Sequence, residues 1–320
     1  MSSWSKDDME SLKGKVIVIT GATSGIGLEA AKQFARKEAT VIMAADDSEK
    51  GQKTIEEIKE REPKANIIFE RLDLASLSSV SSFADRIMQE YPVVDILINN
   101  AGISAVQKRM ETSDGHELTF GVNYLGHFFL TTQLFPLLLR GSDPRIVFLS
   151  SIVHKQGRMH FDDLELSKKY DASEAYAQSK LAMLLFALEL HHRCQEQGLN
   201  IKVIPVHPGA SQTHIFDKGP QISGSYFHPV AFLKRIMLKT MGQDASKGAL
   251  PILFAASSIE ARSGIYYGPN GPFEMWGSPT EVGYSTQAAN FVAREKLWKQ
   301  SEKLAGINFN VANSKSIGLH

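Results

Sequence analysis

The sequence is short of the residues that would build several kinds of protein. Its 320 residues include one cysteine, Cys194, which excludes an intrachain disulfide and argues against a thiolate metal cluster. Cys194 falls in a helical pattern, where a buried structural thiol is the ordinary reading. No run of eighteen apolar residues occurs, so nothing reads as a membrane-spanning helix. Net charge is absent too: 35 basic residues balance 35 acidic ones, which gives no electrostatic case for a nucleic-acid partner. The first thirteen residues, ending in Ser11-Leu12-Lys13, are polar and charged and lack the apolar core of a signal peptide. Together these absences make a cytoplasmic protein without a metal site the expectation.

What is present is a regular alternation. Apolar runs at 15–20, 39–44, 66–72, 94–99, 145–150 and 201–207 read as strands, with a seventh at 264–267. Helix-period segments lie near 25–37, 48–61, 76–90, 113–139, 174–197, 244–257 and 288–304. Continuous apolar strands separated by helices indicate a parallel sheet covered on both faces. The prediction is an α/β protein: a single-domain Rossmann-type doubly wound parallel sheet of about seven strands, with helices on both faces. The domain spans 14–305, after a polar extension at 1–13 and before a loose tail at 306–320. Its ligand crevice is expected at the carboxyl ends of the strands, where their order reverses.

One turn fits that crevice. Thr20-Gly21-Ala22-Thr23-Ser24-Gly25-Ile26-Gly27 follows the run Val16 to Ile19 and opens a helical pattern at Leu28, Ala31, Phe34 and Ala35. Glycines between strand and helix let backbone N–H groups approach a pyrophosphate at the positive end of the helix. Asp46, 19 residues after Gly27, stands where an acidic residue bonds the adenine-side ribose and repels the extra phosphate of NADP. Asp46 or Asp47 is equally suited to cap the next helix, as is Ser48. Asp73-Leu74 ends the third strand, either near the adenine amino group or as another cap, with Ser76 close by. Asn99-Asn100-Ala101-Gly102 ends the fourth; a buried Asn there needs partners, in strand backbone, cofactor ribose or both.

Tyr176 and Lys180, four residues apart in Tyr176-Ala177-Gln178-Ser179-Lys180, share one helix face. A nearby ammonium favours the phenolate, so the tyrosine pKa is expected to fall, poising the phenol for proton transfer. The fifth strand, Arg145 to Leu149, delivers Ser150-Ser151 to the same crevice. The order of these motifs resembles the short-chain dehydrogenase/reductase family: TGATSGIG at 20–27, DL at 73–74, NNAG at 99–102, Asn123 within VNYLGHF, SS at 150–151, YAQSK at 176–180 and HPG at 207–209. Within it the chain is most similar to the retinol dehydrogenase and WW-domain-oxidoreductase-type branch, on VNYLGHFFLT, SSIVH and the long stretch from Ser151 to Tyr176.

The resemblance implies hydride transfer between an NAD(P) cofactor and a carbonyl/alcohol pair. It makes Tyr176 the proton donor or acceptor. Lys180 lowers its pKa and holds the nicotinamide ribose, Ser151 polarises the carbonyl, and Asn123 holds a relay water. It places Gly21, Ser24, Gly25, Ile26, Gly27, Asp46, Asp73, Leu74, Asn100, Ala101, Gly102, Tyr176, Lys180, Pro208 and Gly209 around the cofactor. That branch usually carries an Arg after the second strand; Asp46 stands there instead and favours NAD over NADP. His154 reads as a structural histidine, since Tyr176 fills the base role. His191-His192 lacks ligand-spaced partners for zinc.

From Ala210 to about Gly242 the alternation breaks. Val230, Phe232, Leu233, Ile236, Met237 and Met241 recur at helical spacing among Lys234, Arg235 and Lys239. An apolar lid over a small lipophilic carbonyl or alcohol substrate is the favoured reading. Ordinary packing and peripheral membrane contact are the others. Many relatives pair chains through helices such as 113–139 and 174–197, so the resemblance also implies a homodimer. A cofactor-sensing protein that kept the fold and lost turnover is the rival class of function.

Overall fold

Apolar residues at successive positions make strands that bury both faces, and six such strands order the whole chain. The computed structural model describes residues 4–104, 106–210 and 243–312. In chain order the elements are β1 (Val16–Thr20), α1 (Gly25–Arg36), β2 (Thr40–Ala45), α2 (Ser48–Arg61), β3 (Ile67–Arg71), α3 (Leu77–Glu90) and β4 (Ile96–Asn99). There follow α4 (Leu118–Phe120), α5 (Gly126–Leu138), β5 (Arg145–Leu149), α6 (Ala172–Glu196) and β6 (Lys202–Val206). After the segment 211–242, which carries the expected lid and lies outside the described residues, come α7 (Ala245–Gly248), α8 (Leu250–Ser257), β7 (Tyr267–Pro269), β8 (Pro279–Glu281), α9 (Thr286–Ala289) and α10 (Phe291–Ala305). No helix among the described residues is long and apolar enough to cross a membrane.

The sheet has eight strands in the order β3-β2-β1-β4-β5-β6-β7-β8. All neighbours run parallel except the β7–β8 pair. The order reverses between β1 and β4, which places a crevice at their carboxyl ends. One apolar layer packs α1, α2 and α8 on one face, around Phe34, Ile55 and Ile252. The other packs α3, α5, α6 and α10, around Phe83, Phe128, Phe186 and Trp298.

The departures from the sequence reading have local causes. β8, an edge strand of three residues with Pro279 and Glu281, carries no hydrophobic pattern to read. The helix expected over 113–139 starts only at Leu118, because Glu117 accepts from the N–H groups of Thr119 and Phe120 and caps it. A π-turn, Gly121–Leu125, then separates α4 from α5. The helix at 244–257 divides at Ala249, just before Pro251, whose ring nitrogen has no hydrogen to give.

The described residues near either end, from Trp4 and up to Val311, pack more closely than their composition foretold. Met9 and Leu12 are buried, and the ring of Trp4 meets Phe254 edge-on. Phe309 and Val311, in the expected loose tail, are buried because Phe309 stacks on Trp298 with ring centroids 4.9 Å apart. Trp298 in turn meets Phe128 and Phe186, while Tyr124 bonds Ser301 at 2.6 Å. α6 is consequently buried at every position from Ala175 to Leu190 within one chain. Part of that cover is the chain's own C-terminal helix, α10, through Trp298 against Phe186.

Trp298→Ala removes the centre of that cover. It is expected to cost about 3–5 kcal/mol, read as the shift in the urea midpoint at constant slope; a loss under about 1 kcal/mol would show that α10 is held elsewhere.

Candidate active site

The groove at the β1–β4 reversal is built from backbone. Gly21 and Gly25 take positive φ angles of 67° and 57°, a region open to glycine without strain. A Cβ on Gly21 would lie 2.8 Å from the Ala101 Cα, and one on Gly27 2.5 Å from the Asn100 Nδ2. The glycine turn thus presses directly on the loop after β4. Ser24 precedes α1 with extended backbone, and its hydroxyl makes no capping bond to the helix. Gly21, Ser24, Gly25, Ile26, Gly27, Asp46, Asp73, Leu74, Asn100, Ala101 and Gly102 all line one groove, which also reaches Leu149. This is the shape and chemistry of a dinucleotide cradle: close backbone, a helix N-terminus for the pyrophosphate and carboxylates at the far end.

The helix-cap alternatives separate here. Asp47, not Asp46, caps α2 by accepting from the Lys50 N–H at 3.0 Å. Ser76 caps α3, and Asp73 accepts from the Ala75 N–H in a local turn. Asp46 remains exposed on the groove wall. Asn100 donates to the Thr20 carbonyl at 2.7 Å, so its amide bonds strand backbone.

Ser151, Tyr176, Lys180, Pro208 and Gly209 are not among the residues that line this groove; Lys180 adjoins it at Leu149 and Gly102. Lys180 is buried, and its Nζ donates to the Leu149 carbonyl at 3.0 Å and lies 5.9 Å from the centroid of the Tyr176 ring. The Ser151 side chain acts on the Tyr176 hydroxyl and pulls its pKa down. Ser150 faces the other way, its hydroxyl donating to the Lys180 carbonyl at 2.7 Å, so it braces α6. Asn123 sits in the π-turn, a distortion often found at functional positions. Both of its amide hydrogens are engaged, on the Ile103 carbonyl and the Ser179 hydroxyl, while Oδ1 accepts from the Ile103 N–H at 2.7 Å. A Cβ on Gly102 would lie 3.2 Å from that Oδ1 and 3.5 Å from the Lys180 Nζ, so this backbone runs close to both side chains. Pro208 and Gly209 follow β6, with the Gln243 amide donating to the Pro208 carbonyl at 2.7 Å.

Comparison with known proteins gives the chain its family. The family model for short chain dehydrogenases matches residues 15–221. The chain belongs to the short-chain dehydrogenase/reductase family. It is retinol-dehydrogenase-like, being 36% identical to mouse retinol dehydrogenase 13 over 301 residues, 92% of this chain and 85% of that one. A crystal structure of an uncharacterised protein from Mycobacterium paratuberculosis matches 97% of the chain and 100% of its own length, at TM-score 0.79 and 34% identity. A short chain dehydrogenase from Shigella flexneri, solved with NADP, matches 81% and 98% at TM-score 0.61 and 25% identity. The protein is an NAD(P)-dependent alcohol/carbonyl oxidoreductase.

In this short-chain dehydrogenase burial, rather than the lysine, sets the tyrosine. Removal from water pushes Tyr176 up to about 12, against a lowering pull from Ser151. The same burial holds Lys180 down at about 8. The expected fall of the tyrosine is thus reversed, because both groups sit away from water. Burial likewise pushes the thiol of Cys194 up to about 12, which suits a structural thiol.

A buried histidine that the sequence reading passed over joins Thr20 to Asn123. His127, four residues after Asn123, meets the Thr20 hydroxyl through Nε2 at 2.9 Å and the Asn123 carbonyl through Nδ1 at 3.1 Å. Its place one helical turn beyond Asn123 is the signal that would have found it. His154 is structural: its Nδ1–H donates to the Ser151 carbonyl, and its Nε2 accepts from the Ser285 N–H. No metal cluster occurs among the described residues.

Burial holds His127 at about 3 and His207 at about 4, below the ordinary 6.5. The unfolded chain therefore binds more protons than the folded one below about pH 6.5, and stability falls as pH drops from there toward 4. Urea midpoints at pH 7.5, 6.5, 5.5 and 4.5 should decline over this window, less steeply in His127→Asn. A flat profile would mean that these imidazoles are hydrated.

Proposed function

We propose that the protein interconverts a lipophilic alcohol and its ketone or aldehyde, with Tyr176 as general acid/base. The observation that carries this reading is buried Tyr176, its pKa pulled down by the Ser151 side chain, one helical turn from buried Lys180, whose Nζ donates to the carbonyl of Leu149 on the groove wall. A bound nicotinamide supplies or accepts the hydride. The side chains do the rest. Ser151 donates to the carbonyl oxygen as charge builds on it, and Tyr176 passes its proton to that oxygen. In the reverse direction the phenolate takes the proton of the alcohol. Lys180 holds the nicotinamide ribose and stabilises the phenolate. Asn123 fixes the Ile103 backbone and Ser179, and the second lone pair of its Oδ1 is the place for a relay water.

Two features support the finer choices. Asp46, freed from capping duty by Asp47, puts a negative charge where the extra phosphate of NADP would sit, so NAD is the preferred cofactor. The similarity to a retinol dehydrogenase supports a lipophilic substrate. The apolar residues at 230–241 are read as its cover.

Side-by-side titrations of NADH and NADPH should show NADH binding at least about tenfold tighter, with Asp46→Ser narrowing the gap. Tighter NADPH binding would remove Asp46 from the ribose. Tyr176→Phe should keep cofactor affinity while turnover of retinal or retinol falls about 10²–10⁴-fold. Undiminished turnover in that variant would sink the assignment of Tyr176.

A further inference from the structure

The loop between β7 and β8 holds an unusual conformation. Phe273 and Glu274, neither of them glycine, have φ angles of 54° and 57°. The left-handed region costs about 1–2 kcal/mol for each such residue, and it persists only where the surroundings impose it. Here the bend leaves Phe273 87% exposed and turns the Glu274 side chain inward. Glu274 Oε1 accepts from the Lys155 Nζ at 2.7 Å, and its Oε2 lies 3.2 Å from the Nε2 of His207. The Gly209 N–H donates to Nδ1 of that ring, so the ring proton of neutral His207 sits on Nε2 and faces the carboxylate. The contact is an approach of charge to ring rather than an aligned hydrogen bond, and neither Nε2 nor Oε2 has a hydrogen-bond partner among the described residues. Gly268 gives the ring its room, because a Cβ there would overlap Nε2.

Both anchors belong to the active site. Lys155 lies on the 3₁₀ turn Ile152–Gln156, which Ser151 caps. His207 directly precedes Pro208 and Gly209, and the loop returns to the same strand end where the Met275 carbonyl accepts from the Ala210 N–H. Between the anchors stands buried Tyr266, its hydroxyl 3.5 Å from the Ser151 carbonyl and its ring 5.2 Å from that of His207. We propose that Glu274 is a positioning residue: its carboxylate ties the Ser151 turn to the Pro208–Gly209 turn and so fixes where the Ser151 hydroxyl meets the reacting carbonyl. This rests on the reading of Ser151 and Tyr176 given above.

The test compares Glu274→Gln, Lys155→Met and the double variant with the wild-type chain. Each single change should lower kcat for retinal reduction about tenfold while KM and the NADH dissociation constant stay within about twofold. The double variant should be no worse than either single one, since both break the same bridge. Independently of turnover, hydrogen exchange on the cofactor-free proteins should be faster in Glu274→Gln at residues 151–157 and 207–210, and unchanged at 16–27. Unchanged exchange at the two turns, or unchanged kcat in both single variants, would overturn the proposal. Additive losses in the double variant would do the same. A wild-type chain that binds NADH without turning over retinal would count against the proposed function, and the exchange comparison would still decide the role of Glu274.

Discussion

A single hydroxyl holds the point on which the site depends. Thr20 ends β1, and its Oγ1 accepts from the N–H groups of Asn100 and Ala101, each at 2.9 Å. With both lone pairs taken, its own proton goes to Nε2 of His127. That fixes the histidine as the tautomer with its hydrogen on Nδ1, which donates to the Asn123 carbonyl. One buried threonine therefore joins the glycine turn, the loop after β4 and the π-turn that carries Asn123. In a medium poor in water, such a chain of fully paired groups is stiff, and breaking any one bond strands a polar atom. The unusually low pKa of His127 is the electrostatic trace of the same enclosure.

α6 carries Tyr176 and Lys180, the pair proposed to react, and is buried without a break from Ala175 to Leu190. These two facts belong together. A tyrosine and a lysine in mutual register need a helix that neither slides nor rotates, and full burial from Ala175 to Leu190 provides that. Ser150 and Leu149 fasten the helix to β5, Asn123 reaches its Ser179, and α10 closes the outer side through Trp298. The C-terminal helix thus supplies part of this packing from within the chain.

Much of this was legible in the sequence, for a physical reason. Strands buried on both faces must be continuous apolar runs, and turns that approach a phosphate must be glycine, so β1 to β6 and the 20–27 turn write themselves plainly. Tyr176, Lys180 and Ser151 are visible through their order along the chain. What the sequence hid are contacts between distant segments. Nothing in PFEMWG marks Glu274 as reaching Lys155, 119 residues away. Nothing in the polar tail marks Phe309 as a stacking partner for Trp298. Asp46 and Asp47 could not be told apart until the cap was seen, because adjacent carboxylates differ only in the direction the backbone turns them. The tyrosine pKa was misjudged because spacing gives the distance to Lys180 and says nothing of how dry both groups are.

That misjudgement changes how the lysine should be understood. With Tyr176 near 12 and Lys180 near 8, the resting pair at neutral pH is a phenol beside an ammonium, the form that can give a proton. A charge that already stabilised a phenolate in the resting state would bind ground state and transition state alike, which does nothing for the chemical step. Here the ammonium is held by the Leu149 carbonyl, on the same helix face and 5.9 Å from the ring, and the phenolate exists only once the proton has begun to leave. Its attraction for that new charge is then felt in a buried site, where water does not screen it. In the proposed reaction the burial that makes the tyrosine a weaker acid at rest also strengthens the stabilisation waiting for it when it reacts.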